Sequence, residues 1–297
     1  MIGRNDQITK TVDEHVTEGA ELSPEMIDMH SHILPGLDDG AGDWEQALAM
    51  ARAAVADGIA EMVCTPHWVL GKYENSREKI LPCFAEFKAR LAHEKVPLKI
   101  HPGAELRIDA TLLNRLKSGE VLTIGNSGYV LLELPDDGLP SDLHQFFWEL
   151  QVNGYRPILS HVERNPFIRE NPGRLVDWVE RGALTQITAA SLQTGFASEI
   201  REFAVFLVQH RLAHMLVTDT HGLRMRRPEL SGARAIVESL AGSEAAARMV
   251  RGIPELILRG EPVTVEDPLP VTAPKPKKRF WSFLQAGQKN LAFYGDK

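Results

Sequence analysis

Residues 28–32 read Asp28-Met29-His30-Ser31-His32 and close the apolar run 26–29. In a strand, alternate side chains share a face, so His30 and His32 point the same way and can reach one metal ion. Alone, such a pair is a weak signal, since polar residues are common where a strand meets solvent. The surrounding pattern gives it weight. Short apolar runs recur at 61–64, 98–101, 129–132, 156–159, 184–188 and 214–217, each with polar or charged flanks. Their length and borders predict seven buried strands. The stretches 43–57, 76–93, 141–152, 174–181 and 198–210 suit helices, with Gly58 stopping the first and Pro82 in the first turn of the second or kinking it. Strands that alternate with helices imply a parallel sheet; a closed barrel and an open doubly wound sheet both satisfy the pattern.

The strand exits share a chemistry. After 61–64 comes Thr65-Pro66-His67; after 98–101, Pro102-Gly103-Ala104-Glu105; after 129–132, Glu133. After 156–159 comes Ser160-His161-Val162-Glu163-Arg164, and after 214–217, Thr218-Asp219-Thr220-His221. Parallel strands end on one side, where α/β folds build their sites. His30, His32, His67, Glu105, Glu133, His161, Asp219 and His221 should therefore converge. Eight nitrogen and oxygen ligands exceed the need of one tetrahedral ion and suit two or three ions bridged by carboxylates, with manganese, iron or zinc preferred over thiolate-seeking metals. Such a site fits phosphoester hydrolysis, with arginines to grip the phosphate. Arg164 follows His161 by three residues, and Arg224, Arg226 and Arg227 follow His221. Each arginine alone reads as a solvated surface charge; proximity to ligands argues otherwise. His15, His93, His101, His144, His210 and His214 lie off the pattern and read as surface or satisfied core residues, with His101 the best further ligand.

Bulk properties exclude several classes. The 297 residues are 43% hydrophobic and 25% charged, an ordinary soluble composition. A net charge of −7 argues against a nucleic-acid binder. No GxGxxG or GxxxxGK[ST] segment supports nucleotide binding. Cys64 and Cys83 form no framework, which fits a reducing, cytoplasmic setting. Residues 1–24 are polar, lack a signal-peptide core and read as a flexible extension. Residues 265–297 begin as a stiff Pro-rich linker, with Pro268, Pro270, Pro274 and Pro276. A basic-aromatic run follows, Lys277-Lys278-Arg279-Phe280-Trp281, beside Phe283 and Leu284. It reads foremost as a solvated tail, and secondarily as a peripheral contact to an anionic membrane or a partner. The folded body is expected over residues 25–264.

The segments HSHILPGLDDGA (30–41), TPH (65–67), PGAE (102–105), LLELP (131–135), PILSHVERN (157–165) and TDTHG (218–222), in this order, resemble the polymerase and histidinol phosphatase (PHP) superfamily. LPGLDDGA and SHVERN are similar to the bacterial manganese-dependent protein-tyrosine phosphatases of capsule and exopolysaccharide clusters. The resemblance spans about residues 26–262. It implies a distorted seven-stranded (β/α) barrel with a site for three divalent ions, manganese foremost, with hydrolysis by metal-activated hydroxide. By motif, His30, His32, Glu105 and Asp219 would hold the first ion. Glu105 would bridge to a second, which Glu133 and His161 also bind. Asp39, His67 and His221 would hold the third. Asp39 enters only by motif position; its neighbour Asp38 has a capping reading. Arg164 matches a phosphate-gripping arginine. The second such arginine is Arg227, which precedes Pro228, although the spacing leaves Arg226 open. TDTHG departs from the more usual S-D-A-H-N, keeping the ligands but altering the loop. The implied substrate is the phosphotyrosine tail of a bacterial tyrosine autokinase that controls polysaccharide export, and assembly into an oligomer is compatible with the resemblance. Competing readings are a small-molecule phosphatase of the histidinol-phosphate type, an exonuclease-like phosphoesterase, which the acidic body opposes, and a non-catalytic kinase-binding scaffold.

Overall fold

In a computed structural model, residues 25–135, 137–193 and 197–271 are described. The expected extension (1–24) and most of the expected tail (272–297) lie outside the described residues. All seven expected strands form, as β1 (Met26–Ser31), β2 (Ile59–Cys64), β5 (Lys99–Pro102), β7 (Tyr129–Glu133), β8 (Arg156–Leu159), β9 (Leu184–Thr188) and β10 (Met215–Val217). Most are buried throughout, which is why their sequences are continuous apolar runs rather than alternations. Three shorter strands complete the set: β3 (His67–Val69), β4 (Tyr73–Glu74) and β6 (Glu105–Arg107). β3 continues the line of β2 after Thr65-Pro66, and β6 that of β5 after Gly103-Ala104. These Pro and Gly interruptions, and lengths of two or three residues, hide them from a periodicity reading.

One sheet has the order β1-β2-β5, the other β10-β9-β8-β7-β6-β3-β4. Every pairing is parallel except the β3–β4 hairpin. The first and last strands also meet: Asp219 N donates to His30 O at 2.9 Å, and His32 N to Thr220 O at 3.0 Å. The fold is thus α/β with parallel strands, as the alternation predicts.

The expected helices appear as Trp44–Ala56, Arg77–His93, Leu143–Val152, Gly173–Glu180 and Ser198–Gln209. Asp43 caps the first by accepting from Gln46 N. Pro82 sits inside the second, past its first turn, on its exposed side. The helices Ser231–Ala241, Ser243–Ala247 and Ile253–Leu258 follow the last strand and were not signalled by the sequence pattern.

Two apolar layers hold the strands in place. One lies between strands and helices. In the other, Ile27, Met29, Val63, Leu131, Ile158, Met215 and Val217 pack together with Ile253 and Ile257 of the last helix. The strand phase then carries polar residues to the upper end of this inner layer. Glu133 lies two residues beyond Leu131 and Gln186 two beyond Leu184, hence on the same face, and Asp219 follows the end of β10 two residues beyond Val217. Beyond the last helix, residues 263–271 run as an extended strap. Val263 N donates to the Tyr129 hydroxyl at 3.2 Å, Leu269 N to His210 O at 3.0 Å, and Glu266 pairs with Arg211 at 2.9 Å. Among the described residues, no helix is long and apolar enough to cross a membrane.

Candidate metal centre

All nine expected ligands come together. His30 Nε2 lies 3.1 Å from His32 Nε2, 3.2 Å from Glu105 Oε2 and 3.5 Å from Asp219 Oδ1. β3 pairs with β6 so that His67 neighbours Glu105, and His67 Nδ1 is 2.9 Å from Glu105 Oε2. His161 Nε2 approaches the other Glu105 oxygen at 2.9 Å and Glu133 at 3.9 Å. Asp39 Oδ1 lies 3.5 Å from His67 Nε2 and 3.4 Å from His221 Nε2. Three groups have mutually close ligand atoms: His30, His32 and Asp219; His67, Glu105 and Glu133; and His32, Asp39, His67 and His221. They overlap the three sets implied by resemblance, but His67 and His32 each fall in two groups.

The backbone is bent to aim these side chains. β1 has a register irregularity between Asp28 and Ser31, in the stretch that delivers His30. His161 and Asp219 both have positive φ, 28° and 50°, a conformation that costs energy outside glycine and that clusters at functional sites. The loop after His32 folds back so closely that a Cβ on Gly40 would lie 2.0 Å from His32 O. Glycine is therefore required there, and the turn delivers Asp38 and Asp39 to the cluster.

The far ring nitrogens decide what the near ones can do. His30 Nδ1 faces Gln186 Oε1 at 3.2 Å, His32 Nδ1 faces Asp38 Oδ2 at 2.7 Å, and His221 Nδ1 faces the Asp219 carbonyl at 2.9 Å. Each of these oxygens accepts, so each ring keeps its proton on Nδ1 and turns an Nε2 lone pair into the cluster. Asp38 is thus the orienting carboxylate, held in turn by Gly40 N and His67 N.

Several atoms in this cluster have no hydrogen-bond partner despite burial: His67 Nδ1, Glu105 Oε2 and His221 Nε2. Buried imidazole and carboxylate atoms crowded together, some of them without a partner, are the signature of ligands that fit a cation. The donor set, imidazole and carboxylate without thiolate, fits manganese, iron or zinc. The charges agree. Burial alone would raise the Glu105 carboxyl, but His30, His67 and His161 hold it well below its usual range. Asp219 is likewise buried, yet His30, His32 and Arg164 keep it ionised. Burial depresses His161, but Glu105 and Asp219 outweigh it and lift the ring to about 9. Burial also depresses His32, and Asp38 and Asp219 raise it well above the usual histidine value. In the metal-free site, protons occupy places that a cation takes.

Arg164 Nη1 donates to Asp219 Oδ2 at 2.6 Å and its Nη2 to Thr188 Oγ1 at 2.9 Å. Arg226 Nη1 reaches the same Asp219 oxygen at 3.2 Å. Arg227 does not join them; its side chain is 52% exposed and pairs with Glu229 at 2.6 Å. Of the two arginines that spacing left open, Arg226 is the one beside the ligands. His101 pairs with Glu61 at 2.7 Å, apart from the cluster.

Over residues 26–259 the chain matches the family described as Capsular polysaccharide synthesis, CpsB/CapC. The chain belongs to the CpsB/CapC family. It is 38% identical over 258 residues to the tyrosine-protein phosphatase YwqE of Bacillus subtilis (strain 168), covering 87% of this chain and 100% of that protein. Tyrosine-protein phosphatase CpsB of Streptococcus pneumoniae is 27% identical over 238 residues, covering 78% of this chain and 98% of that protein. Among solved structures, the crystal structures of YwqE from Bacillus subtilis and CpsB from Streptococcus pneumoniae, unique metal-dependent tyrosine phosphatases, supply a match. Its TM-score is 0.79 at 38% identity, covering 83% of this chain and 100% of that one.

Sequence reasoning missed several residues of this CpsB/CapC site. Gln186 orients His30 from within β9; a glutamine in an otherwise buried strand was the available signal. Arg107 donates to Glu133 at 2.9 Å and steadies that carboxylate. Glu163 accepts from Thr188 N and Thr188 Oγ1, each at 2.9 Å, which fixes the hydroxyl that Arg164 meets. Asp28 accepts from Thr218 N at 3.0 Å and ties β1 to the start of the TDTHG segment. Burial lifts its carboxyl to about 6, against the opposing pull of Thr218.

Proposed function

We propose that this protein is a metal-dependent protein-tyrosine phosphatase. The supporting observation is the convergence of nine ligand side chains, three of them imidazoles (His30, His32 and His221) whose outer ring nitrogens are held by acceptors so that Nε2 faces the cluster. Membership of the CpsB/CapC family supports the phosphotyrosine substrate. The two sheets, joined through the contacts of β1 with the segment after β10, form a distorted seven-stranded barrel in this reading, with the site at its upper rim. The phosphatase body spans residues 25–264, flanked by the extension and the tail.

Three ions are proposed, manganese foremost, held by His30, His32, Glu105 and Asp219; by Glu105, Glu133 and His161; and by Asp39, His67 and His221. Bound there, divalent ions supply Lewis acidity toward phosphoryl oxygens and acidify water near neutral pH. The protein's own part is orientation. Arg164 and Arg226, both on Asp219 Oδ2, lie where their guanidinium forks can turn to a phosphate beside the ligands. Gln186 and Asp38 hold the imidazoles in the ligand tautomer. In this reading the protein is cytoplasmic, and its substrate in the cell is the phosphotyrosine tail of a bacterial tyrosine autokinase of capsule export.

Hydrolysis of a phosphotyrosine peptide tests the reading, measured with manganese, with chelator and with His161→Ala. Metal-dependent phosphate release, lost in the variant, is the expected result. Absence of turnover in folded, metal-loaded protein, with turnover of histidinol phosphate, would replace the tyrosine phosphatase by a small-molecule one.

A further inference from the structure

Three of the ligand imidazoles are held from outside the cluster: His30 by Gln186, His32 by Asp38 and His221 by the Asp219 carbonyl. His67 cannot be held in this way, because both of its ring nitrogens face ligand carboxylates. Its Nδ1 lies 2.9 Å from Glu105 Oε2 and its Nε2 3.5 Å from Asp39 Oδ1. No outer nitrogen is left to bond an orienting acceptor. The backbone of His67 is fixed on both sides. Its N–H donates to Asp38 Oδ2 at 2.9 Å, and its carbonyl accepts from Asn75 Nδ2 at 2.9 Å. Those bonds place the Cα but leave the side-chain torsions to be set by packing.

The β3–β4 hairpin supplies that packing. Val69 pairs with Tyr73 across it. Residues two apart in a strand share a face, so Tyr73 becomes the diagonal neighbour of His67. The two rings are stacked, with centroids 5.8 Å apart and planes within 9°, an offset geometry that aromatic pairs favour. The His32 ring also meets His67, at 4.4 Å and tilted by 43°. His32, however, belongs to the same ligand group and cannot steady its neighbour independently of it. Tyr73 is not a ligand. Its own ring is held by Lys72, whose Nζ lies 4.6 Å from the centroid in a cation–π contact.

This support sits where the cluster is most open. The side chains of Asp39, His67 and His221 are 45%, 13% and 8% exposed, whereas those of His30 and Glu105 are fully buried. Fewer neighbours confine the exposed ligands, and a ring free to turn must lose that freedom when it binds. We propose that Tyr73 is a positioning residue: its ring stacks His67 into the ligand orientation and so sets the affinity of the ion held by Asp39, His67 and His221. The proposal rests on the metal-dependent reading of the site given above.

Manganese titration of the metal-free full chain tests it, with the free ion followed by its electron paramagnetic resonance signal. The wild type is compared with Tyr73→Leu and Tyr73→Phe, and circular dichroism in chelator checks that each is folded. Tyr73 is only half-buried in a short hairpin, so leucine can be accommodated. Tyr73→Leu should weaken one ion about three- to tenfold, the range of an aromatic stack, and leave the others within about twofold. Tyr73→Phe keeps the ring and should stay within about twofold of wild type at every ion. Turnover of a phosphotyrosine peptide by Tyr73→Leu should fall at limiting manganese and recover at saturation. Unchanged affinity in Tyr73→Leu overturns the proposal, as does an equal loss at all ions or an equal loss in Tyr73→Phe. A wild type that binds no manganese removes the metal centre itself, and the proposal with it.

Discussion

At the upper end of the strands, His32 donates its Nδ1–H to Asp38 and turns Nε2 toward His30, Glu105 and Asp219, where a cation can take the place of its proton. At the lower end, His214 Nδ1 accepts a hydrogen bond from Thr185 N, so its Nε2 carries the hydrogen and is buried without a partner. Both rings are buried. The difference lies in the group on the far nitrogen. An acceptor there makes an imidazole a metal ligand, and a donor there makes it a hydrogen-bond donor. Metal competence in this protein therefore resides as much in Asp38, Gln186 and the Asp219 carbonyl as in the histidines themselves.

The strongest way to break the upper site is through Glu105, which touches His30, His32, His67 and His161. Glu105→Ala should lower phosphotyrosine-peptide turnover by about three orders of magnitude or more, since bound ions supply several kcal/mol of transition-state stabilisation. Metal content measured by atomic emission should fall with it. Retained turnover with full metal loading would remove Glu105 from the centre of the site.

The two ends also respond to pH with opposite sign. His161 in the folded, metal-free protein titrates near 9, above its usual value. Its contribution to stability is complete below about 6.5 and is lost as pH rises through 9. His214 titrates near 4 when folded. Its contribution is complete above about 6.5 and is lost as pH falls through 4. Each limb is bounded by about 3 kcal/mol. Urea unfolding in chelator should show a stability maximum near neutrality. Saturating manganese should remove the alkaline limb and leave the acid one, because metal binding already takes the His161 proton.

A milder change separates ligand from orienting group. Asp38→Asn can present an N–H to His32 Nδ1 and release the tautomer. Manganese affinity should fall about 10- to 100-fold, the usual effect of losing a ligand's hydrogen-bond partner, while the ligand count is unchanged. A titration of manganese into wild type and variant measures this directly. Unaltered affinity would mean that the ring orientation is set by packing alone.

What the sequence made legible follows from these same physical scales. The strands were legible because burial on both faces writes continuous apolar runs, and the ligands because parallel strands end on one side. β3, β4 and β6 were not, because two or three residues carry no periodicity and Pro66 and Gly103 interrupt the lines they continue. Asp39 entered through its motif, since a tight turn around Gly40 gives no period by which to phase its side chain. Gln186 and Thr188 were passed over as strand residues because their role depends on partners more than a hundred positions away or on a neighbouring loop. The helices after β10 were missed with them, although Ile253 and Ile257 close the inner apolar layer.

Arg226 and Arg227 offer the finest version of the same contrast, two adjacent cations with different surroundings. The Arg-Pro motif favoured Arg227 and the spacing left Arg226 open; backbone direction separates them. Arg226 O accepts from His221 N at 3.1 Å and from Thr220 Oγ1 at 2.8 Å, which clamps that residue against the ligand loop. Its guanidinium then reaches Asp219, whereas Arg227 turns outward to Glu229. Arg226→Ala should raise the KM for a phosphotyrosine peptide about tenfold, the low end for a lost charge-assisted hydrogen bond on a partly exposed side chain. Arg227→Ala should stay within about twofold, as exposed ion pairs contribute little. Because Arg226 also neutralises Asp219, manganese affinity must be measured beside KM. An unchanged affinity with raised KM assigns the loss to phosphate binding. If Arg227→Ala proves the more damaging, the loop rearranges around substrate and the Arg-Pro motif was the better guide.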